Sequence, residues 1–266
     1  MKKPYDKVFV FHGCDYKVGT TMTAQAAAEL AAECRKDLRV LFLCLNGRES
    51  TSYCREAVNS IQAIKMKVDN RLLTHDELIR CCVRQKQLFV LGGASGILNH
   101  RHYSPDFAAY VLEMADQVFD LILVDSGNEI DSGLAVGALQ MTENRLMVLG
   151  QNETLLSRME ALMPIYKALE LRFRAYVVNR YMADDPHDAR YLRKRLKLEE
   201  GDQLICVQDQ YGFSRYAEMD KTTLLEYKNQ EYVGGISEIL MYLFEKAGIE
   251  GGVEIRSKKK LPFGKW

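Results

Sequence analysis

The sequence predicts an α/β fold, a single doubly wound and mostly parallel sheet with helices on both faces. Three observations lead there. Strand-like and helix-like runs alternate along the chain. The strand runs VFVF (8–11), LRVLFLCL (38–45) and DLILVD (120–125) are continuously apolar, as in a parallel sheet covered on both faces. Cys14 to Thr21, Asn46, Gly92, Gly93, Asp125, Asn179 and Asp209 all fall at or just after such runs. Right-handed crossovers collect those positions along one sheet edge, where an open α/β sheet binds its ligand.

Each element has a local reason. Residues 8–11 are β-branched and aromatic, and a loop follows over 12–19. Thr20 opens an alanine-rich helix that runs through 25–33. A second strand covers 38–45, and 46–52 is a polar loop. Residues 53–86 read as mostly polar and helical in character, with an N-terminal turn at Thr74. A third strand covers 87–93 and ends in a loop marked by Gly92, Gly93 and Gly96. Ser104 and Pro105 suit the N-cap and first position of the next helix. The strand ending in Asp125 leads to a short helix at 133–141, a strand at 145–150 and a long helix at 154–170. Strands at 173–180 and 203–208 flank a segment rich in Asp and Arg, and a last helix lies near 235–247. The expected organisation is one domain over 1–249 and a basic tail over 250–266.

Composition narrows the function. The 266 residues carry 36 basic and 36 acidic side chains, so a generally basic nucleic-acid face is not expected. Seven scattered cysteines, an odd number with several inside apolar runs, point to reduced thiols and a cytoplasmic protein. No run approaches the ~18 apolar residues of a membrane span. The start of the chain leaves no room for the apolar segment of a signal peptide. Any membrane contact is expected to be peripheral, through the basic tail, which also suits a protein partner. His100 and His102 with Cys81 and Cys82 lack metal-ligand spacing, so no metal cluster is expected.

The stretch that organises the chain is KVFVFHGCDYKVGTTMT, residues 7–23. Strand, glycine-containing loop and helix form the setting in which a helix N-terminus holds phosphate. In the frame G-x-x-x-x-G-K-[ST], Gly19 and Thr21 are kept, while Cys14 replaces the first glycine and Thr20 the lysine. Thr21 places a hydroxyl where it can ligate Mg²⁺, or serves as a helix cap. Asp125 can hold a Mg²⁺-bound water, or caps the next turn. Lys17 can reach a phosphate from within the loop, or is a solvated lysine. Asp15 opposes an anion there. Asn179 can read a base edge with its amide, or is a turn residue.

These stretches together resemble the ParA/MinD family of deviant Walker-A ATPases over nearly the whole chain. DYKVGTTM lies on the family loop K-G-G-x-G-K-[ST]-T, with Asp15 at the signature lysine and Thr20 at the general one. LFLCLN lies on the strand ending in D-x-D, with Cys44 and Asn46 at the two aspartates. FDLILVDSGNEIDSGLAVGAL and VVNRY match its later segments, and CVQDQYGFSRYAEMDKTTLLEY resembles its late strand and following loop, with Val207 where the family has proline. The resemblance implies ATP or ADP with Mg²⁺. Thr21 and Asp125 would hold the metal, and Lys17, Gly19, Thr20, Thr21, Asn179 and Asp209 the nucleotide. Asn46 and Asp125 would occupy the catalytic places, Asn46 in degenerate form, since it cannot accept a proton as a carboxylate would. It further implies a homodimer, here resting on contacts of Tyr16 and Lys17 with loop 46–52. The eroded motifs resemble the TadZ/CpaE-like pilus-assembly branch, and imply a positioning or scaffold factor with weak or no hydrolysis. An active ATPase using Lys17, and an interaction protein that binds no nucleotide, are the alternatives.

Overall fold

The computed structural model describes residues 5–96, 99–210 and 212–250. The strands are β1 (Val8–Gly13), β2 (Val40–Cys44), β3 (Val83–Gln85), β4 (Leu88–Leu91), β5 (Leu121–Asp125), β6 (Arg145–Leu149), β7 (Ala175–Tyr181) and β8 (Gln203–Gln208). They form one eight-stranded sheet in the order β3-β4-β2-β5-β1-β6-β7-β8. Every pairing is parallel except that of β3 with β4. All residues of β1, β2, β4, β5 and β6 are buried. Successive side chains of a strand point to opposite faces, so both faces are covered. The fold class is the one expected from the continuous apolar runs.

The helices are α1 (Thr20–Cys34), α2 (Lys65–Asp69), α3 (His75–Cys81), α4 (Pro105–Asp116), α5 (Gly133–Met141), α6 (Glu153–Ala168), α7 (Ala189–Arg195), α8 (Phe213–Met219) and α9 (Gln230–Ala247). The alanines of α1 are buried, and their small side chains let the helix lie close on the sheet. α1 packs against β5, β2, β1 and α9. Ser104 caps α4 by accepting from the Phe107 N–H, with Pro105 at the first position. Thr74 and Glu77 form a reciprocal capping box at α3.

Several boundaries differ from the sequence reading. β1 continues through His12 and Gly13, because His12 finds a buried partner in Ser126 and keeps the strand paired to β6. Residues 53–86 are not mainly helical. They hold two short helices, a 3-10 turn at Ile61–Ile64 and the edge strand β3, whose three residues are too few for a visible period. α7 lies in the stretch rich in Asp and Arg, with Asp188 accepting from the Tyr191 N–H as its cap. α8 follows β8 where a loop was expected. α9 begins at Gln230, five residues before Gly235, because Asn229 accepts from the N–H groups of Glu231 and Tyr232. The basic tail over 250–266 lies outside the described residues beyond Glu250, as does the His100 side chain.

α5 approaches α4 through Gly137, where an added Cβ would stand 2.2 Å from the Pro105 carbonyl oxygen. Helix propensity alone favours Gly137→Ala by about 1 kcal/mol. Contact with a backbone oxygen wins, and overpacking of this kind costs about 1–3 kcal/mol. Urea unfolding should therefore show a lower midpoint for Gly137→Ala. A raised midpoint would mean that α4 and α5 separate freely.

His12 is fully buried, with its ring stacked on Phe173 and meeting Tyr166 edge-on. Burial pulls its pKa down from 6.5 to about 4. The unfolded chain takes up this proton first, so stability rises with pH between about 4 and 6.5 and is lost on acidification. The loss reaches about 3 kcal/mol near pH 4. Urea unfolding at neutral pH and near pH 4.5 should show a smaller acid loss for His12→Phe than for the unaltered chain. Equal losses would assign the titration to other groups.

Candidate functional site

The site grows from the carboxyl ends of three adjacent strands. Register places Asp125 of β5 beside Phe11 of β1 on one side and Cys44 of β2 on the other. The connection after β1 leads toward β2 and that after β6 toward β7, so the strand ends part between β1 and β6. Loop 14–19 crosses this point and is fixed by backbone bonds. Gly13 N–H donates to Gly127 O at 2.7 Å and Cys14 N–H to Val148 O at 2.9 Å. Asn179, on β7, donates its Nδ2 to Val18 O at 2.9 Å. Its amide thus braces the loop, and the neighbouring Arg180 faces the cavity.

Gly19 turns the chain into α1 at φ 94°, a left-handed conformation that glycine adopts without strain. No side chain caps the helix, so its first N–H groups lie open at the cavity wall formed by Thr20, Thr21 and Met22. A helix end of this kind carries roughly half a positive charge.

Asp125 is fully buried below that helix end. Its Oδ2 accepts from Thr21 Oγ1 at 2.5 Å and Asn46 Nδ2 at 2.9 Å, and its Oδ1 from Gly127 N–H at 2.9 Å. Burial pushes the carboxyl above its usual range, against the pull of these donors. Asn46 also donates to Ser50 Oγ at 2.7 Å and accepts from Arg48 N–H at 2.9 Å through Oδ1. An aspartate at 46 could donate neither bond and would set a second charge against Asp125. Thr21, Asn46 and Asp125 therefore form one cluster, as their places after strand ends predicted.

The loop side chains turn to other partners. Asp15 pairs with Arg158 of α6 at 3.2 Å, which offsets the anion that the sequence set against phosphate. Lys17 has a left-handed φ of 60° and holds its ammonium 5.4 Å from the Tyr16 ring centre. The Tyr16 ring also carries the Arg48 guanidinium at 4.3 Å. Arg48 of loop 46–52 thus meets Tyr16 within one chain. Burial raises the Cys14 thiol to about 12, so it is an inert packing group.

A cavity of about 610 Å³ opens beside the cluster, lined by Thr21 and Asn46, with Asp125 buried behind them and outside the lining. Lys17, Gly19, Thr20, Thr21, Asn46 and Asp209 lie on its wall, while Asn179 stands behind the loop. Arg48, Tyr53, Ser126 and Arg215 also line it, and sequence reasoning did not select them. Arg48 carried a usable signal, a cation two residues beyond Asn46 in a loop already marked as polar. Arg215 did not, since its position depends on α8. Among the described residues, no group of three or more His, Cys, Asp or Glu is placed to hold a metal ion, and no helix is long and apolar enough to cross a membrane.

The Asn46 cluster can be tested directly. Asn46→Asp removes two donated bonds and adds a like charge beside a buried carboxylate, a change worth about 1–3 kcal/mol. Urea midpoints should fall near neutral pH and recover in acid as the added carboxyl is protonated. A drop independent of pH would point to packing instead of charge.

No protein-family model and no curated protein matches the chain. Solved structures do. The ParA family ATPase from Chlorobium tepidum TLS superposes with a TM-score of 0.76 at 17% identity, covering 89% of this chain and 98% of that one. A chain of the MinC:MinD cell division protein complex of Aquifex aeolicus aligns with a TM-score of 0.71 at 14% identity, over 98% of this chain and 99% of that one. The septum site-determining protein MinD from Pyrococcus horikoshii OT3, complexed with Mg-ADP, gives 0.64 at 15% identity over 90% and 98%. The chain has the fold of the ParA and MinD ATPases.

Proposed function

We propose that this protein binds ATP or ADP with Mg²⁺ and acts as a positioning or scaffold factor that turns nucleotide over slowly or not at all. The observation that carries this reading is the Thr21–Asp125 pair below the uncapped N-terminus of α1. The residues fit the group. Open N–H groups and the helix dipole suit phosphate, the cavity is of ordinary ligand size, and a hydroxyl and a carboxylate are the hard oxygen donors that Mg²⁺ takes. When bound, the metal supplies charge neutralisation of the phosphates. Thr20 and Asn46 replace a lysine and a carboxylate, so phosphate charge and water positioning each lose a group, at about 2.7–4 kcal/mol apiece. The same losses support placement in the TadZ/CpaE-like branch that serves pilus assembly or secretion in the cytoplasm. The known MinC:MinD complex supports a role exercised through protein partners, in a homodimer of this chain.

One observation favours a different reading, an interaction protein without nucleotide. The Asp125 carboxylate already receives three hydrogen bonds from its own chain.

Calorimetric titration with ATP-Mg²⁺ and with ADP separates the two. Binding is expected, and Thr21→Ala or Asp125→Ala should weaken the Mg²⁺-dependent part by about tenfold without unfolding the protein. Phosphate release should stay well below ~1 per second. No heat with either nucleotide would establish the interaction protein, and turnover at ordinary rates would establish a working ATPase.

A further inference from the structure

We propose that Arg48 binds the terminal phosphate of a nucleoside triphosphate, and so supplies the cation that positions 15 and 20 of the loop lack. The assignment rests on the nucleotide reading above and adds the residue that tells a triphosphate from a diphosphate.

Four observations converge on Arg48. Its backbone is fixed before any ligand arrives. Arg48 N–H donates to Asn46 Oδ1 at 2.9 Å, and the next residue's carbonyl, Glu49 O, accepts from Gly93 N–H at 2.9 Å. The turn is therefore tied to the Asp125 cluster on one side and to the end of β4 on the other. A preset backbone removes part of the ordering cost of binding. Second, the side chain lines the cavity, and its guanidinium lies 4.3 Å from the Tyr16 ring centre. An aromatic face holds the guanidinium in one plane and leaves its edge for a bidentate contact, the geometry in which arginine takes phosphate.

Third, its present partner is replaceable. Arg48 Nη2 stands 3.5 Å from Glu129 Oε1, with the two side chains 54% and 42% exposed. A half-exposed pair at that distance contributes little, so a phosphate anion can take the place of Glu129. Fourth, the other loop positions offer no fork. Asp15 is an anion paired with Arg158 and Thr20 is buried and uncharged, while Lys17 lines the cavity as a point charge. Arg180 and Arg215 also line the cavity, but neither lies on a segment bonded to the Asn46–Asp125 cluster. Arg48 is the cation on the turn that touches the Asp125 cluster.

Exchange of Glu129 for phosphate gives the proposal a signature that a structural role lacks. Arg48→Ala should weaken ATP-Mg²⁺ by about tenfold, the usual effect of losing a charged hydrogen bond. ADP-Mg²⁺ should change by less than about twofold. Arg48→Lys keeps the charge without the fork and should fall between. Glu129→Gln releases Arg48 and should tighten ATP-Mg²⁺ alone, an effect that should vanish in the double variant with Arg48→Ala. Calorimetric titration of the full chain reads all of these, and urea midpoints confirm that each variant is folded. Equal weakening of ATP and ADP by Arg48→Ala, or no weakening, would overturn the assignment while leaving the nucleotide reading intact. No binding of either nucleotide by the unaltered chain would overturn both.

Discussion

The burial of one carboxylate orders the rest of the site. Asp125 is surrounded by strand ends, and burial of a charge is costly unless donors surround it. Thr21 supplies one from the helix, Asn46 one from the turn after β2, and Gly127 one from its own loop. These contacts join three connections that are far apart in sequence. The uncapped end of α1 stands above the cluster because Thr21 lies in the first turn of that helix. The placement of helix, loop and turn thus follows from satisfying a single buried anion.

The same cluster gives a physical account of the departures from the phosphate-loop pattern. With Asn46 bonded to Asp125, Ser50 and the Arg48 backbone, the amide does what no carboxylate at that position can. Asp15 is likewise no isolated repulsive charge, since Arg158 faces it from α6. Asn46 and Asp15 are each bonded to the scaffold around them. Both amide atoms of Asn46 have partners, in three hydrogen bonds, and the phosphate-loop segment is braced from behind by Asn179.

Much of the architecture was legible in the sequence because it rests on local signals. Continuous apolar runs marked the central strands, and Ser104-Pro105 and Thr74 marked helix starts that the structure places there. Thr21, Asn46 and Asp125 could be gathered into one site because each follows a strand of a parallel sheet. What stayed hidden depends on contacts between distant segments. β3 has three residues and no period of its own, and only its pairing with β4 makes it a strand. The stacking of Arg48 on Tyr16 needs two loops that lie about thirty residues apart in sequence to meet across a cleft. The direction of the Asn179 amide was equally hidden, since it follows the backbone of another loop at Val18.

The antiparallel edge strand β3 has a consequence for how the sheet ends. A parallel sheet offers its outermost strand as a template on which another chain can continue the ladder. Here β3 reverses direction beside β4 and presents only Val83, Arg84 and Gln85. A ladder that short, with an exposed arginine at its centre whose guanidinium covers Phe89, gives an incoming strand little to pair with. Growth of the sheet is thereby disfavoured at the β3 margin by its own geometry.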